Sequence, residues 1–204
     1  MALSIEDELD LFEEGCSLLS GFISDLAGAP PDEIENTHLF LAEAVTFRLF
    51  RNYERLIRAV FLDCCVTSTT PNEREVYSKL RCVDWDTAEE ILKSGNKFLD
   101  WGNVQSVRNI SNLVFENGFP IVDLIGPIAS TLTDLQRFRN FIAHSSKEAE
   151  TAFKKSIPQY KKVGHEDPTS VGELAIYRRT TRSDITLRIV YDKVVALSTI
   201  YRAL

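Results

Sequence analysis

The stretch THLFLAEAVTFRLFRNYERLIRAVFLDCC, residues 37–65, predicts one long helix and with it an all-α fold. Its apolar side chains recur every three or four residues, the spacing that places them on one face of a helix. That face comprises Leu49, Phe50, Tyr53, Leu56, Ile57, Val60 and Phe61. Asn36 or Thr37 is suited to cap the first turn, because both side chains accept hydrogen bonds from backbone amides.

Charged residues give this helix two further features, a stripe of arginines and a single glutamate within the apolar face. Four arginines fall on one flank because they are three, four and three residues apart: Arg48, Arg51, Arg55 and Arg58. The stripe predicts either an RNA-binding surface, assigned to Arg48, Arg51 and Arg55, or ion pairs with acidic residues of the N-terminal helix. Glu54, in contrast, projects from within the apolar face, where an isolated charge is costly and requires a partner.

The rest of the chain also has mainly helical patterns. Helices are expected over residues 4–26, 104–118, 126–144, 147–156 and 192–204, the last starting as early as 184, and shorter ones over 74–103 with breaks near Asp84 and Gly95. Residues 158–173 read as a loop, and residues 174–191 as a short hairpin around 180–184. We therefore predict a single all-α domain, residues 1–204. It is a bundle of four or more helices with a C-terminal extension, residues 158–204, of the same domain.

The cysteines, the histidines and the N-terminal sequence bear on metal binding, cofactors and cellular location. The four cysteines lack C-x-x-C spacing, and the three histidines are scattered, so we expect reduced thiols, no metal site and no cofactor. The N-terminus lacks the basic start of a signal peptide, and the most apolar stretch, residues 119–132, is broken by Asp123, glycine and proline. These features indicate a cytoplasmic protein without a membrane span.

The charges are unevenly distributed along the chain. The 204 residues have a formal net charge of −7, yet residues 1–47 contain 11 acidic residues and no Lys or Arg. The acidic part is expected to pair with the basic part of the same chain, or the basic part is expected to meet an anionic partner.

The segment RNFIAH, residues 139–144, combines an arginine, an amide and a histidine at the end of an amphipathic helix. Two other Arg-Asn dipeptides occur, at Arg51 and Arg108, but neither is followed by a histidine five residues after its arginine. The pattern Arg-polar-x(3 to 5)-His resembles the motif of the HEPN family, and the early helix with Glu54 is similar to that family's early helix. The resemblance covers roughly residues 5–157.

Membership of the HEPN family would imply a helical bundle, a homodimer that brings two motifs together, and often metal-independent RNA cleavage in toxin–antitoxin or antiviral defence systems. A regulatory protein or antitoxin is then an expected partner besides RNA. Other members are non-catalytic and bind a nucleotide, RNA or a partner protein, which is the alternative for this chain. The tyrosine that many toxins have two residues after the histidine is replaced here by Ser146.

The chemistry of the motif suggests a role for each residue. Histidine exchanges protons near neutral pH, so His144 is the candidate acid or base. Arginine offers planar donors to phosphate oxygens, which suits Arg139, with Asn140 as an orienting amide. Arg137 shares the face of His144 and is a candidate second phosphate ligand. Glu54 is counted with the catalytic residues, because it is predicted to contact Arg139, Arg137 or His144 and to hold the site together. A simpler alternative is that the helix dipole favours cationic side chains at this helix end.

A second basic cluster follows the motif helix. Its members are Lys161, Lys162, Arg178, Arg179 and Arg182. It is predicted to bind RNA, at Lys161, Lys162, Arg178 and Arg179, or to form a solvated loop.

Overall fold

The computed structural model describes residues 4–94, 99–144, 146–180 and 182–204. The fold is all-α, as predicted, and divides into two compact units. The first unit comprises residues 1–13, 52–129 and 195–204, and the second comprises residues 14–51 and 130–194. Among the residues described, no helix is long and apolar enough to cross a membrane.

The first two helices match their predicted bounds closely. Helix α1 spans Ile5–Gly28 and ends before Pro30 and Pro31, which cannot continue a helix. After a 3₁₀ turn at Pro31–Glu33, helix α2 spans Asn36–Val66. All seven residues assigned to the apolar face of α2 are buried, which confirms the helical spacing.

The first unit contains the end of α2, the shorter helices α3 (Trp85–Lys93), α4 (Val104–Val114) and α5 (Ile121–Ile125), and 3₁₀ turns at Glu116–Gly118 and Gly126–Ile128. Asp84 and Asn103 cap α3 and α4 by accepting a backbone hydrogen bond from Thr87 and Ser106, respectively. The core of this unit includes the ring of Phe61, whose centroid lies 5.2 Å from Trp101 and 4.9 Å from Phe115.

The prediction of helix over residues 74–83 is wrong. This segment is irregular, with isolated antiparallel bridges from Glu75 to Thr69 and from Ser78 to Phe115, because its backbone pairs with a neighbouring loop and with the end of α4. The amide of Lys79 donates to the carbonyl of Val114, and the amide of Glu116 donates to the carbonyl of Tyr77. The break predicted at Gly95 lies outside the described residues.

The second unit contains most of α1, the first half of α2 and the helices that carry the motif and the C-terminal region. These are α6 (Ala129–Ala143) from its second residue on, α7 (Lys147–Lys154), α8 (Ile157–Tyr160), α9 (Val171–Ile176) and the first half of α10 (Thr186–Ala203). The second half of α10, from Val195, belongs to the first unit. Phe138 of α6 packs against Phe153 and Tyr160, and Phe141 stacks on Phe153 at 4.8 Å.

The predicted C-terminal hairpin is also wrong. Its first strand is largely replaced by α9, which Ser170 caps by accepting a hydrogen bond from the Glu173 amide, and its second strand by the start of α10. Between these helices, an antiparallel bridge joins Arg178 and Ile185. Thr181, at the predicted turn, lies outside the described residues. The segment 158–204 contributes to both units rather than forming an appendage of its own.

The cysteines are free, as expected. Cys16, Cys64 and Cys65 are buried, whereas Cys82 is partly exposed. Burial raises the pKa of Cys65 to about 12.

Candidate functional site

Helix α6 positions the predicted motif at its C-terminal end. Leu132, Leu135 and Phe138 are buried, and they fix this helix in the core of the second unit. Arg139 and Asn140 in the last turns are half-buried, and His144, the residue after the helix, is exposed.

Two hydrogen bonds connect the three motif residues. The Nη1 of Arg139 donates to Oδ1 of Asn140 over 2.9 Å, and the backbone amide of His144 donates to the carbonyl of Asn140 over 2.9 Å. On a straight helix, Arg139 would lie about 140° from His144. The arginine side chain therefore bends toward Asn140, whereas His144 is linked to Asn140 only through the backbone of the helix end.

Aromatic rings hold the guanidinium of Arg139. Its Cζ lies 5.5 Å from the ring centroid of Phe50 and 6.0 Å from that of Phe47, distances at which a cation is attracted to a ring. Its Nε is buried and has no hydrogen-bond acceptor among the described residues. A buried donor without an acceptor is unfavourable. Because this atom is sealed from solvent, an anionic ligand would gain a charge-assisted hydrogen bond to it only after the Arg139 side chain had moved.

The imidazole of His144 has no hydrogen-bond partner among the residues that the structure describes. A catalytic base is usually oriented by a third group. One chain thus presents a histidine that is accessible but not oriented by its own unit.

Arg137, predicted as a second phosphate ligand, is already paired. Its Nη1 lies 2.9 Å from Oδ1 of Asp134, a carboxylate that is only 3% exposed. The hydroxyls of Ser156 and Tyr160 also donate to Asp134. This buried cluster fastens α6 to the segment Ser156–Tyr160 and leaves Arg137 poorly available to a phosphate.

The cluster around Asp134 also affects Tyr160. Burial, with the Asp134 charge as the second cause, raises the pKa of Tyr160 strongly, so its hydroxyl remains a donor. Sequence reasoning did not identify Asp134. The available signal was an acidic residue three positions before Arg137 on the apolar side of the helix.

Glu54 is half-buried on α2 and belongs to the first unit, whereas the motif belongs to the second. Its carboxylate is a minor cause of the raised pKa of Tyr53, after burial and Asp100. The predicted contact of Glu54 with the motif stays a prediction.

The four arginines of the α2 stripe differ in their surroundings. Arg55 forms a two-pronged ion pair with Glu8, through Nε at 2.6 Å and Nη2 at 3.0 Å, and Arg58 pairs in the same way with Glu89 of α3. Arg48 and Arg51 are exposed. The expected pairing with the acidic N-terminal helix therefore holds for Arg55, whose predicted role in RNA binding would require this pair to open.

Other acidic residues of α1 surround a cation that sequence reasoning missed. Arg202 near the end of α10 pairs with Glu6, Asp10 and Glu13 in the first unit. The acidic N-terminus is thus partly neutralised within its own unit.

The members of the C-terminal basic cluster differ in availability. Lys161 pairs with Asp167, and Arg178 donates to the backbone carbonyls of Ala27 and Ser183. Lys162 and Arg179 are exposed and form no ion pair within the described part of the chain.

Among the described residues, no group of three or more His, Cys, Asp or Glu side chains is arranged to hold a metal ion. Comparisons with protein-family models, curated proteins and solved structures gave no match to this chain.

Proposed function

We propose that this protein is a HEPN-type endoribonuclease that cleaves RNA without a metal ion in a toxin or antiviral defence system. The observation that carries the proposal is the linked arrangement of Arg139, Asn140 and His144 at the end of α6. It includes a guanidinium whose buried Nε–H lacks an acceptor in the described chain. An antitoxin or regulatory protein that controls the enzyme belongs to the same proposal.

The reaction is a transesterification within the RNA strand. The 2′-oxygen forms a bond to phosphorus while its proton passes to a base, and the bond to the 5′-oxygen breaks as that oxygen takes a proton from an acid. The products carry a 2′,3′-cyclic phosphate and a 5′-hydroxyl. His144 transfers a proton, and Arg139 donates hydrogen bonds to the phosphoryl oxygens, whose negative charge grows in the transition state.

A homodimer supplies the second proton-transferring group. One histidine does not easily serve as acid and base in the same step, and the imidazole of His144 has no orienting partner among the described residues. A two-fold interface is self-complementary, so it would bring the ends of two α6 helices and two His144 side chains to one cleft.

The alternative is a non-catalytic module that binds a nucleotide, RNA or a partner protein. The exposed, unoriented imidazole also favours this alternative, because a binding surface requires no aligned base. The net charge of −7 supports a protein partner over RNA, since nucleic-acid-binding proteins are commonly basic.

The decisive experiment is RNA cleavage by the purified full chain in EDTA. We expect the wild-type protein to produce 2′,3′-cyclic phosphate ends, detected by mass spectrometry, and the variants His144→Ala and Arg139→Ala to be inactive. An oligonucleotide of the same sequence with 2′-deoxyribose at the cleavage site should remain intact, because it lacks the attacking 2′-hydroxyl.

Two matched variants control for the loss of a histidine or an arginine. His38→Ala removes a histidine at the start of α2, and Arg108→Ala alters an Arg-Asn pair on α4. Both should retain activity, and circular dichroism of all variants should match the wild type. Activity that EDTA abolishes and Mg²⁺ restores would contradict the mechanism, and a fully active His144→Ala variant would refute the site.

A further inference from the structure

A large groove lies in the second unit, apart from the motif residues. Its volume is about 1110 Å³, and it is lined by the end of α1 with the following proline turn and by residues from 162 to 185. The apolar lining includes Leu26, Pro30, Pro31, Ile34, Leu39 and Ile176. An apolar cavity of this size with a few polar groups is typical of a ligand site.

Two aromatic side chains line the same groove. The ring centroids of His165 and Tyr177 are 6.1 Å apart at 82°, and the Tyr177 hydroxyl lies 3.1 Å from His165 Nδ1. The backbone amide of Lys162 donates to the same hydroxyl, which helps to fix the tyrosine. Tyr177 is only half-buried and lines the groove, so part of its side chain is accessible to a ligand there.

The charges in the groove favour an anion. Lys162 and Arg179 are exposed without an ion pair among the described residues, and Arg178 contacts only carbonyls. Glu173, the one carboxylate named in the lining, accepts two hydrogen bonds from Thr169 at the start of α9. Among the lining residues, three cations therefore stand against one engaged carboxylate. Acidic residues exposed in the adjoining proline turn include Asp32 and Glu33.

We propose that this groove is a subsite for single-stranded RNA, holding one base against Tyr177 and its flanking phosphates against Lys162 and Arg179. Stacking surface beside unpaired cations is the combination that single-stranded nucleic acids require. An acidic peptide would use the cations but not the ring. The inference rests on the proposed function, because it assigns the surface that holds the substrate.

The test measures binding to the full chain carrying His144→Ala, so that RNA is not consumed. A short fluorescein-labelled oligouridylate is titrated and its anisotropy recorded over a range of salt concentrations. The pair of substitutions Lys162→Glu and Arg179→Glu should weaken binding at least about tenfold and reduce the salt slope by about 1.4, or about 0.7 per phosphate contact. Lys155→Glu, an exposed charge reversal outside the groove, should change the affinity less than about twofold.

The aromatic part of the subsite is tested separately. Tyr177→Ala should weaken binding about fivefold or more, since base stacking is lost, whereas Tyr177→Phe keeps the ring and the affinity. Tyr177 is half-buried, so thermal melting must show that the alanine variant folds. If it does not fold, cross-linking of 4-thiouridine RNA decides, and we expect cross-links within residues 162–180.

Several results would overturn the subsite. These are equal weakening by Lys155→Glu, equal affinity for an oligoglutamate of the same charge, cross-links elsewhere, or no RNA binding. Failure of the subsite and failure of the proposed function remain distinguishable, because cleavage is measured with His144 intact. Cleavage without use of the groove refutes the subsite alone, and groove binding without cleavage refutes the enzyme alone.

Discussion

Replacing Asp134 by alanine should destabilise the second unit far more than removing an exposed charge. Asp134 is 3% exposed, and it accepts hydrogen bonds from Ser156, which is 1% exposed, and from Tyr160, which is 6% exposed. It also pairs with Arg137, whose side chain is 33% exposed. Asp134→Ala removes the acceptor for all three donors at once.

The loss of stability expected for Asp134→Ala follows from the burial of each hydrogen-bond donor. A buried donor that loses its acceptor costs about 1–3 kcal/mol, and this applies to the hydroxyls of Ser156 and Tyr160. Arg137 reaches water, so its lost pair adds less than about 1 kcal/mol. The sum is about 2–7 kcal/mol, which for a chain of this length lowers the Tm by about 4–28 °C.

Urea unfolding followed by circular dichroism measures this free energy. Glu150→Ala is the matched control, since its ion pair with Lys154 is exposed on α7 and should contribute little to stability. Tyr160→Phe combined with Asp134→Ala should cost less than the sum of the two single changes, because one stranded donor is then absent. Equal effects of Asp134→Ala and Glu150→Ala would refute the reasoning.

Three further predictions concern the motif and the thiols. A mixed dimer with one wild-type and one His144→Ala chain, purified through two tags, should lose far more than half of the activity, whereas half activity would mean that each chain acts alone. Arg139→Lys should lower kcat/KM about 10²-fold, because lysine lacks the planar donors and stacks poorly on Phe50; near-normal activity would exclude that role. Of the thiols, Cys82 should react first with iodoacetamide at pH 8. Cys65, with a pKa of about 12, stays protonated until unfolding, and mass spectrometry of the labelled peptides checks this order.

The long helices were predictable because their apolar spacing is sustained over many residues. The pattern of α2 continues for most of its 31 residues, so local irregularities do not obscure the period. Residues 74–83 have too short a pattern to distinguish helix from extended chain. Their conformation depends on pairing with Val114 and Glu116, which are distant in sequence.

The motif residues were predictable from their order in the sequence, but their partners were not. Asp134 contacts Ser156 and Tyr160, which lie 22 and 26 residues further along the chain. Arg55 contacts Glu8, which is 47 residues away. A sequence shows that acidic and basic residues are available to pair, whereas the choice of pairs depends on how the helices pack.

The ion pairs divide the cations predicted to bind RNA into two groups, those that are paired with a carboxylate and those that are not. Arg55 and Arg137 each hold a carboxylate whose negative charge offsets their own, so each attracts a phosphate less strongly than a cation without an ion pair. Arg139 instead lies on aromatic rings, bonded to a neutral amide, with a buried Nε–H that lacks an acceptor in the described chain. Lys162 and Arg179 are exposed and lack ion pairs within the described residues. The positive charges of Arg139, Lys162 and Arg179 are therefore not offset by a carboxylate of the described chain, and these three residues rather than the whole basic set are where substitutions should separate RNA binding from stability.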